Sequence, residues 1–581
     1  MTTSSTGNGS IFSFFLKEQR QDLRSLSIFR ILLGLYILYD IYSRLQHGRL
    51  SLLWYTSSST SSFLRPDDTP HKNPIHLIWF YRGSEALQIF LFALTAILAS
   101  MYALGYSYPF SQSRSRISTS ASSSAFPYGK LLLWLNVTAM QCRNMHVHDG
   151  SDTFCRHLLL WSCFLPMNRV WSLDAYLHRK HQQEGDQRQQ KHPHTHQEVH
   201  IENATAVWGL RLQIVFMYLG TVLSRTTDQY GLSFQQLSQS EWLPPSLSAV
   251  HYSLNDSFAT RDNWLGDLVR SNFMLTKIMT ISAMVFEGMA PIACLIMGVG
   301  FVTAKSEGGN SGSGSDISRD YKYAFIPPLL LFKLHLGLLA LMNLPNWQFV
   351  GMIATTIWIP ISCWDMWQRK LSLRFPHLVS PPRITQSLKT AQKKEEKIIR
   401  ISTKRTGVEY LITNFFFVYM IYNFAGERGW ITKHDGGDVG EFLRFSQHWV
   451  MFSSVSKNSH DIIFTGTISK KNDVGFDDIK EVDVWRWMKD GQLTIIDLES
   501  RRTEKWTNMT HVYPSPRLER MFHQFSSSKN PQVINYFLQK LCTVGPFDEL
   551  TLICQSCQIQ KPSALQRYHE SKEHSIFRVE C

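Results

Sequence analysis

Of the ionisable side chains inside or at the edges of apolar stretches of this chain, seven are candidates for chemistry: Arg30, Arg143, Arg211, Lys277, Glu287, Lys333 and His335. A charge at mid-bilayer costs about 2.5–3.5 kcal/mol on insertion scales, so such groups face a bundle interior, pair with one another or reach the interface. Glu287 with a neighbouring Lys or Arg fits a structural ion pair, and less well a proton relay. His335 has an unperturbed pKa of ~6.5, which suits a satisfied core histidine and a general base alike. Asn343 lies two turns further along the same expected helix, near enough in register to share a face with His335.

These side chains need helices to hold them. A span needs ~20 residues at 1.5 Å rise, and nine apolar runs are candidates: 27–45, 85–105, 131–140, 154–165, 204–224, 273–302, 323–344, 347–367 and 408–424. The third and fourth form a hairpin, 128–174, around which the chain is organised. Its apex is polar, with Arg143, Asn144, His146, His148, Asp149, Ser151 and Asp152. The expected fold class is mainly α: a multi-pass transmembrane helical bundle of about nine spans, carrying a C-terminal mixed α/β extramembrane domain. A disordered basic tail (1–24), a transmembrane domain (25–424) and a C-terminal domain (425–581) are the expected units.

Composition agrees with a membrane part joined to sizeable polar parts. The 581 residues are 44% hydrophobic and 13% aromatic, with 17 Trp and a formal charge of +13, yet the mean hydropathy is slightly negative at −0.15. The basic residues gather in loops between apolar runs, where topology and anionic headgroups explain them. No zinc finger, helix-turn-helix or RNP-type motif accompanies them, so nucleic acid is not an expected partner; membrane lipids are. The His-rich 178–200 stretch reads as a solvated linker rather than a metal site. No cleavable signal peptide is evident, so the first run is expected to act as an uncleaved anchor. With a cytosolic N-terminus, nine spans put the basic linkers 166–203 and 368–407 in the cytosol, the second with eleven Lys/Arg against two Glu, as the positive-inside rule asks. The C-terminal domain then faces the lumen. Asn255 and Asn508 begin sequons on that lumenal face. The sequons at Asn8 and Asn203 would be cytosolic, and Asn136 falls inside the third run.

In the C-terminal part, 462–468 and 492–498 read as strands, the second following the Asp490-Gly491 turn signal. Asn530-Pro531 opens a helix with an apolar face of Val533, Ile534, Phe537, Leu538 and Leu541. Cys542, Cys554, Cys557 and Cys581 allow three disulfide pairings, among which sequence does not choose. Cys554 and Cys557 form a lone CxxC without two further zinc ligands at suitable spacing.

The order Arg143-Asn144, Asp149-Gly150-Ser151-Asp152, Arg156, Trp161, Phe164-Leu165-Pro166, Trp171-Ser172-Leu173-Asp174 resembles the horizontally transferred transmembrane (HTTM) family, which includes the vitamin K-dependent gamma-carboxylases. Matching features run from about residue 27 to 542, including Gln447, Trp449, Met451 and Phe452 after the last span. The resemblance implies a multi-pass protein of the endomembrane system, the endoplasmic reticulum for preference, with reduced vitamin K or another quinone as cofactor and a lumenal peptide as substrate. It also implies a departure. The carboxylases place a catalytic lysine after the fifth span, in a context resembling residues 218–225. Arg225 stands at that position here, and arginine does not become a free-amine base. The carboxylase Asn-His pair, aligning loosely with Gly150-Ser151, is absent, although His146 and His148 lie close by; His335 matches a carboxylase histidine. The resemblance therefore implies a carboxylase-like scaffold without the standard activity, holding a lipid- or quinone-like ligand near Arg143, Arg225, Glu287, His335 and Asn343. A working carboxylase would need Lys277, His335 or His146 in place of the missing lysine. A transporter is the third reading; no repeat relating the two halves is evident.

Overall fold

The computed structural model describes residues 19–45, 85–106, 128–142, 148–177, 199–201, 204–226, 240–256, 260–261, 263–307, 324–344, 346–374, 400–401, 407–432, 445, 447, 449, 457–471, 477–495, 531–543, 545–559 and 572–581. Most of them are helical. The bundle comprises α1 (Leu23–Leu45), α2 (Glu85–Leu104), α3 (Tyr128–Cys142), α4 (Gly150–Cys163), α5 (Ala204–Thr226), the short α6 (Ala249–Asn255) and α7 (Trp264–Ser271), α8 (Phe273–Glu307), α9 (Ile326–Leu341), α10 (Trp347–Thr355), α11 (Ile361–Arg374) and α12 (Gly407–Glu427).

Among the described residues four helices are long and apolar enough to cross a membrane, Leu23–Leu45, Ala86–Leu104, Ala204–Thr226 and Phe273–Met297, and a fifth if the bent pair Trp347–Trp358 and Ile361–Gln368 counts as one span. The nine expected spans are thus not matched one for one. The hairpin helices α3 and α4 have 15 and 14 residues, short of the ~20 a lone span requires. Their apolarity has another cause in α4, where every residue from Ser151 to Cys163 is buried by protein. A helix enclosed by protein can carry an apolar run such as Leu158–Trp161 whether or not lipid touches it. The α4 start is fixed locally. Asp149 accepts from the Ser151 and Asp152 N–H groups at 2.6 and 3.2 Å. Asp152 in turn accepts from the Asp149 N–H at 3.2 Å, completing a capping box.

The expected eighth span is broken. After α10 and a 3₁₀ turn (Thr356–Trp358) the chain bends by 92° into α11. Pro360 explains the break: it offers no N–H and drives Ile359 into an extended conformation, φ −63° and ψ 119°. Two carbonyls released from the helical ladder find partners at the start of α1. Gln21 Nε2 donates to the Ile357 carbonyl at 3.0 Å, and Ser25 Oγ donates to that of Ile359 at 3.0 Å.

Three short strands, β1 (Gln19–Gln21), β2 (Val199–Ile201) and β3 (Arg400–Ile401), form a small sheet in that order. It gathers the chain just before α1, α5 and α12, so three segments distant in sequence enter the bundle side by side.

The C-terminal part is an antiparallel sheet of β4 (Asn458–Lys471), β5 (Asp477–Asp483), β6 (Glu549–Gln558) and β7 (Lys572–Glu580), ordered β5-β4-β6-β7. It carries helices α13 (Val484–Asp490) and α14 (Pro531–Cys542). The strand expected over 462–468 lies within β4. The one expected over 492–498 is not formed as far as residue 495; Ile495 makes only an isolated bridge to Val482, and 496–498 lie outside the described residues. Helix α14 begins at Pro531 as the sequence pattern predicts and buries Ile534, Phe537, Leu538 and Leu541. Of the bonds that the three open pairings allow, the structure forms Cys542–Cys581, which ties the end of α14 to the end of β7. Cys554, on β6, is buried and not disulfide-bonded. The bond closes a loop with a sequence separation of 39, for which the chain-entropy relation gives about 4 kcal/mol. Cys542→Ser is therefore expected to lower the stability of this domain by roughly 3–4 kcal/mol, read as a shift in its denaturant midpoint against the parent under non-reducing conditions.

Candidate functional site

One face of α5 carries Arg211, Tyr218 and Arg225, spaced by seven residues. Seven residues are close to two helical turns, or about 10.5 Å, so the three line up as a polar stripe along an apolar span. All three are buried, at 6%, 2% and 5% exposure, and each meets a group from another part of the chain. Arg211 Nη2 donates to Gln21 Oε1 at 2.9 Å, and its guanidinium lies 5.5 Å from the centre of the Trp358 ring. Tyr218 Oη and His335 Nε2, on α9, are 2.5 Å apart. Arg225 forms an ion pair and hydrogen bond with Glu287 on α8.

His335 sits where it does because Gly351 on α10 lacks a side chain: a Cβ there would overlap the imidazole ring. Arg225 is covered from the loop side. The Trp242 ring stacks on its guanidinium with 3.9 Å between the guanidinium carbon and the ring centre, and Ser240 Oγ donates to the Arg225 carbonyl at 3.1 Å. The expected ion pair at Glu287 is therefore present, and its partner is Arg225.

The next residue of that loop, Glu241, ties the bundle to the C-terminal part through Lys457, at 2.7 Å. Burial alone would push the Glu241 carboxyl up, but hydrogen bonds from Lys457, Ser246 and Ser248, with the Lys457 charge, outweigh it and hold the group below the usual carboxylate range. The hydrogen bond to Glu241 raises Lys457 in return. A depressed carboxyl contributes fully above its ordinary pKa and loses that contribution as pH falls through the folded value; a raised ammonium contributes fully below its ordinary pKa and loses it as pH rises through the folded value. The contact is thus complete across neutral pH. Lys457 is more than half exposed, so Glu241→Gln is expected to cost only about 0.5–1 kcal/mol. The difference from the parent in melting curves should be constant between about pH 6 and 9 and vanish in acid as Glu241 protonates.

A second polar cluster lies at the hairpin apex. Arg44 bridges Asp40 and Asp152, both at 2.9 Å, and Asn346 Nδ2 donates to Asp40 at 3.1 Å. Arg156, on α4, donates from Nη1 towards Gln141 Oε1 at 3.4 Å and His148 Nε2 at 3.0 Å, and from Nη2 to Thr153 Oγ1 at 3.3 Å.

The other sequence-derived candidates are dispersed. Lys277 Nζ lies 4.6 Å over its own helix's Phe273 ring, ten residues and about 15 Å of helix before Glu287. Lys333 is exposed on α9. Arg30 is fully buried and donates to the Met167 and Trp171 carbonyls at 2.8 and 2.6 Å, which fixes the turn after α4. Asn343 does not share a helix face with His335. Helix α9 ends at Leu341 and Met342 is extended, pairing as a bridge with Thr260. Asn255 is buried at 3% exposure and its amide nitrogen donates to the His251 carbonyl at 2.7 Å, leaving no exposed amide there. Arg143, His146 and Asn508 lie outside the described residues.

Gln447 and Trp449 prove to be joints. Gln213 and Gln447 exchange amide hydrogen bonds at 2.8 and 3.1 Å, and Trp449 Nε1 donates to Gln447 Oε1 at 2.9 Å. Sequence reasoning did not single out Tyr218 and Trp242 as site residues. The seven-residue period shared with Arg211 and Arg225 would have found Tyr218; nothing local marks Trp242. No protein-family model, curated protein or solved structure matches this chain, so the family resemblance rests on the residues quoted for it alone.

Proposed function

We propose that this chain is a membrane-embedded protein of the HTTM type that holds a lipid- or quinone-like ligand inside its helix bundle and lacks standard vitamin K-dependent carboxylase activity. The observation that carries this reading is the buried polar stripe Arg211–Tyr218–Arg225 on α5, met by His335 and Glu287 from α9 and α8. An apolar site with a few convergent polar groups is the usual make-up of a small-molecule pocket, and buried ionisable groups among spans are the default functional hypothesis in membranes.

The same geometry argues against carboxylation. Arg225, at the position the resemblance assigns to the catalytic lysine, is permanently charged and already committed to Glu287 and Trp242. Lys277, the substitute base a carboxylase reading would call on, lies on Phe273 away from this stripe. A lumenal placing of the C-terminal part is supported by the Cys542–Cys581 disulfide, since such bonds persist in oxidising compartments.

The test uses the purified full chain in nanodiscs. A short-chain naphthoquinone should quench tryptophan emission saturably, and Tyr218→Phe should weaken its binding about tenfold, the loss of one buried hydrogen bond. Equal, non-saturating quenching in both would end the ligand reading. Labelled carbon dioxide offered with reduced vitamin K and a Glu-containing peptide should not be incorporated. Incorporation by the parent would replace this reading with that of an active carboxylase. Incorporation by Arg225→Lys alone would identify Arg225 as the reason for inactivity.

A further inference from the structure

We infer that Arg156, with Gln141, forms a binding site for a carboxylate. Arg156 is 4% exposed and Gln141 1%, and the guanidinium meets only neutral groups: Gln141 Oε1, His148 Nε2 and Thr153 Oγ1. No carboxylate pairs with it among the described residues. The nearest one in sequence on its own helix, Asp152, uses Oδ1 for Arg44 and Oδ2 for the Asp149 N–H.

Two donors in this cluster lack an acceptor, Arg156 Nε and Gln141 Nε2. Their orientation is fixed by chemistry. Arginine only donates, so the Gln141 atom facing it is the carbonyl oxygen and the amide N–H₂ is the free end. For the same reason the His148 Nε2 facing Arg156 presents a lone pair, so that imidazole is neutral and supplies no charge of either sign.

A buried cation with neutral partners and two unmet N–H groups lacks one thing, an anion with at least two acceptor atoms. Burying an unpaired charge is among the least favourable arrangements in a protein. Water would satisfy the N–H groups but not the charge. A planar guanidinium edge matches a planar carboxylate, which takes two parallel N–H···O bonds. The carboxylate belongs either to a small solute or to a lipid headgroup such as phosphatidylserine. This site lies on α3 and α4, apart from the α5 stripe, and does not depend on what that stripe binds.

The experiment measures Tm of the full chain in nanodiscs by intrinsic fluorescence, with sodium acetate replacing sodium chloride at constant ionic strength. In phosphatidylcholine discs acetate is expected to raise Tm by about 2 °C or more near saturation. In discs containing phosphatidylserine, a Tm already raised and insensitive to acetate identifies the lipid as the source; the same acetate response in both discs identifies a solute. Gln141→Glu is the decisive variant, because it places a carboxylate beside Arg156. It should melt higher than the parent in chloride and no longer respond to acetate. Acetate and chloride acting alike on the parent in phosphatidylcholine discs, with no rise from phosphatidylserine, would overturn the site. So would a Gln141→Glu variant that melts lower than the parent or responds to acetate as the parent does.

Discussion

Glu287→Leu is expected to destabilise the bundle by about 3–5 kcal/mol, the usual penalty for stranding one member of a buried ion pair. The Arg225 side chain is only 2% exposed and that of Glu287 11%. Once Glu287 is gone, arginine has no escape by deprotonation, and the Trp242 ring is a weak substitute for a carboxylate. The double variant Arg225→Met/Glu287→Leu removes both charges and fills the space with apolar atoms. It should therefore return to within about 1–2 kcal/mol of the parent. A double-mutant cycle from denaturant titrations in detergent measures the coupling. Additive losses would mean that the two groups are not energetically paired. Arg225→Lys keeps the charge but loses the flat face stacked on Trp242. It should cost only about 1 kcal/mol, so that variant remains folded for the carboxylation assay above.

The second large effect comes from a single methyl group. Replacing glycine by alanine inside a helix normally stabilises it by about 0.5–1 kcal/mol. At Gly351 the sign is expected to reverse. The new Cβ would overlap the His335 ring, which is buried at 1% exposure and has no room to retreat. Overpacking of this kind costs about 1–3 kcal/mol, and it would also separate His335 from Tyr218. In a His335→Ala background the ring is gone and Gly351→Ala should become neutral or favourable. A loss of the same size in both backgrounds, read from melting midpoints, would show that the imidazole is not what excludes a side chain at 351. The same reversal is expected at Gly209, whose missing Cβ makes way for the Trp161 ring.

Both predictions concern contacts that no local pattern reveals. Arg225 and Glu287 are 62 residues apart, and Tyr218 and His335 are 117 apart. Sequence spacing does mark residues on one helix face, which is why Arg211, Tyr218 and Arg225 could have been grouped. It says nothing of which helix faces them. The nine expected spans are not matched one for one among the described residues for a related reason. Hydropathy registers that a side chain avoids water, and a helix enclosed by protein meets that condition as well as one enclosed by lipid. Helix α4, buried along its whole length, therefore looks like a span at 14 residues.

What the amino-acid order determined by itself was local: the apolar runs that become helices, the Asp149 capping box that starts α4, Pro531 at the start of α14, the alternation that becomes β4, and the concentration of ionisable groups within apolar segments. These depend on neighbours within a few residues, where geometry follows directly from the backbone. Tertiary structure alone decided the rest. It ended α9 before Asn343. It chose Cys581 as the partner of Cys542, and it set Arg225 rather than a lysine beside Glu287. Each of these outcomes depends on which distant surfaces pack together, and packing is a property of the assembled core rather than of any one stretch of the chain.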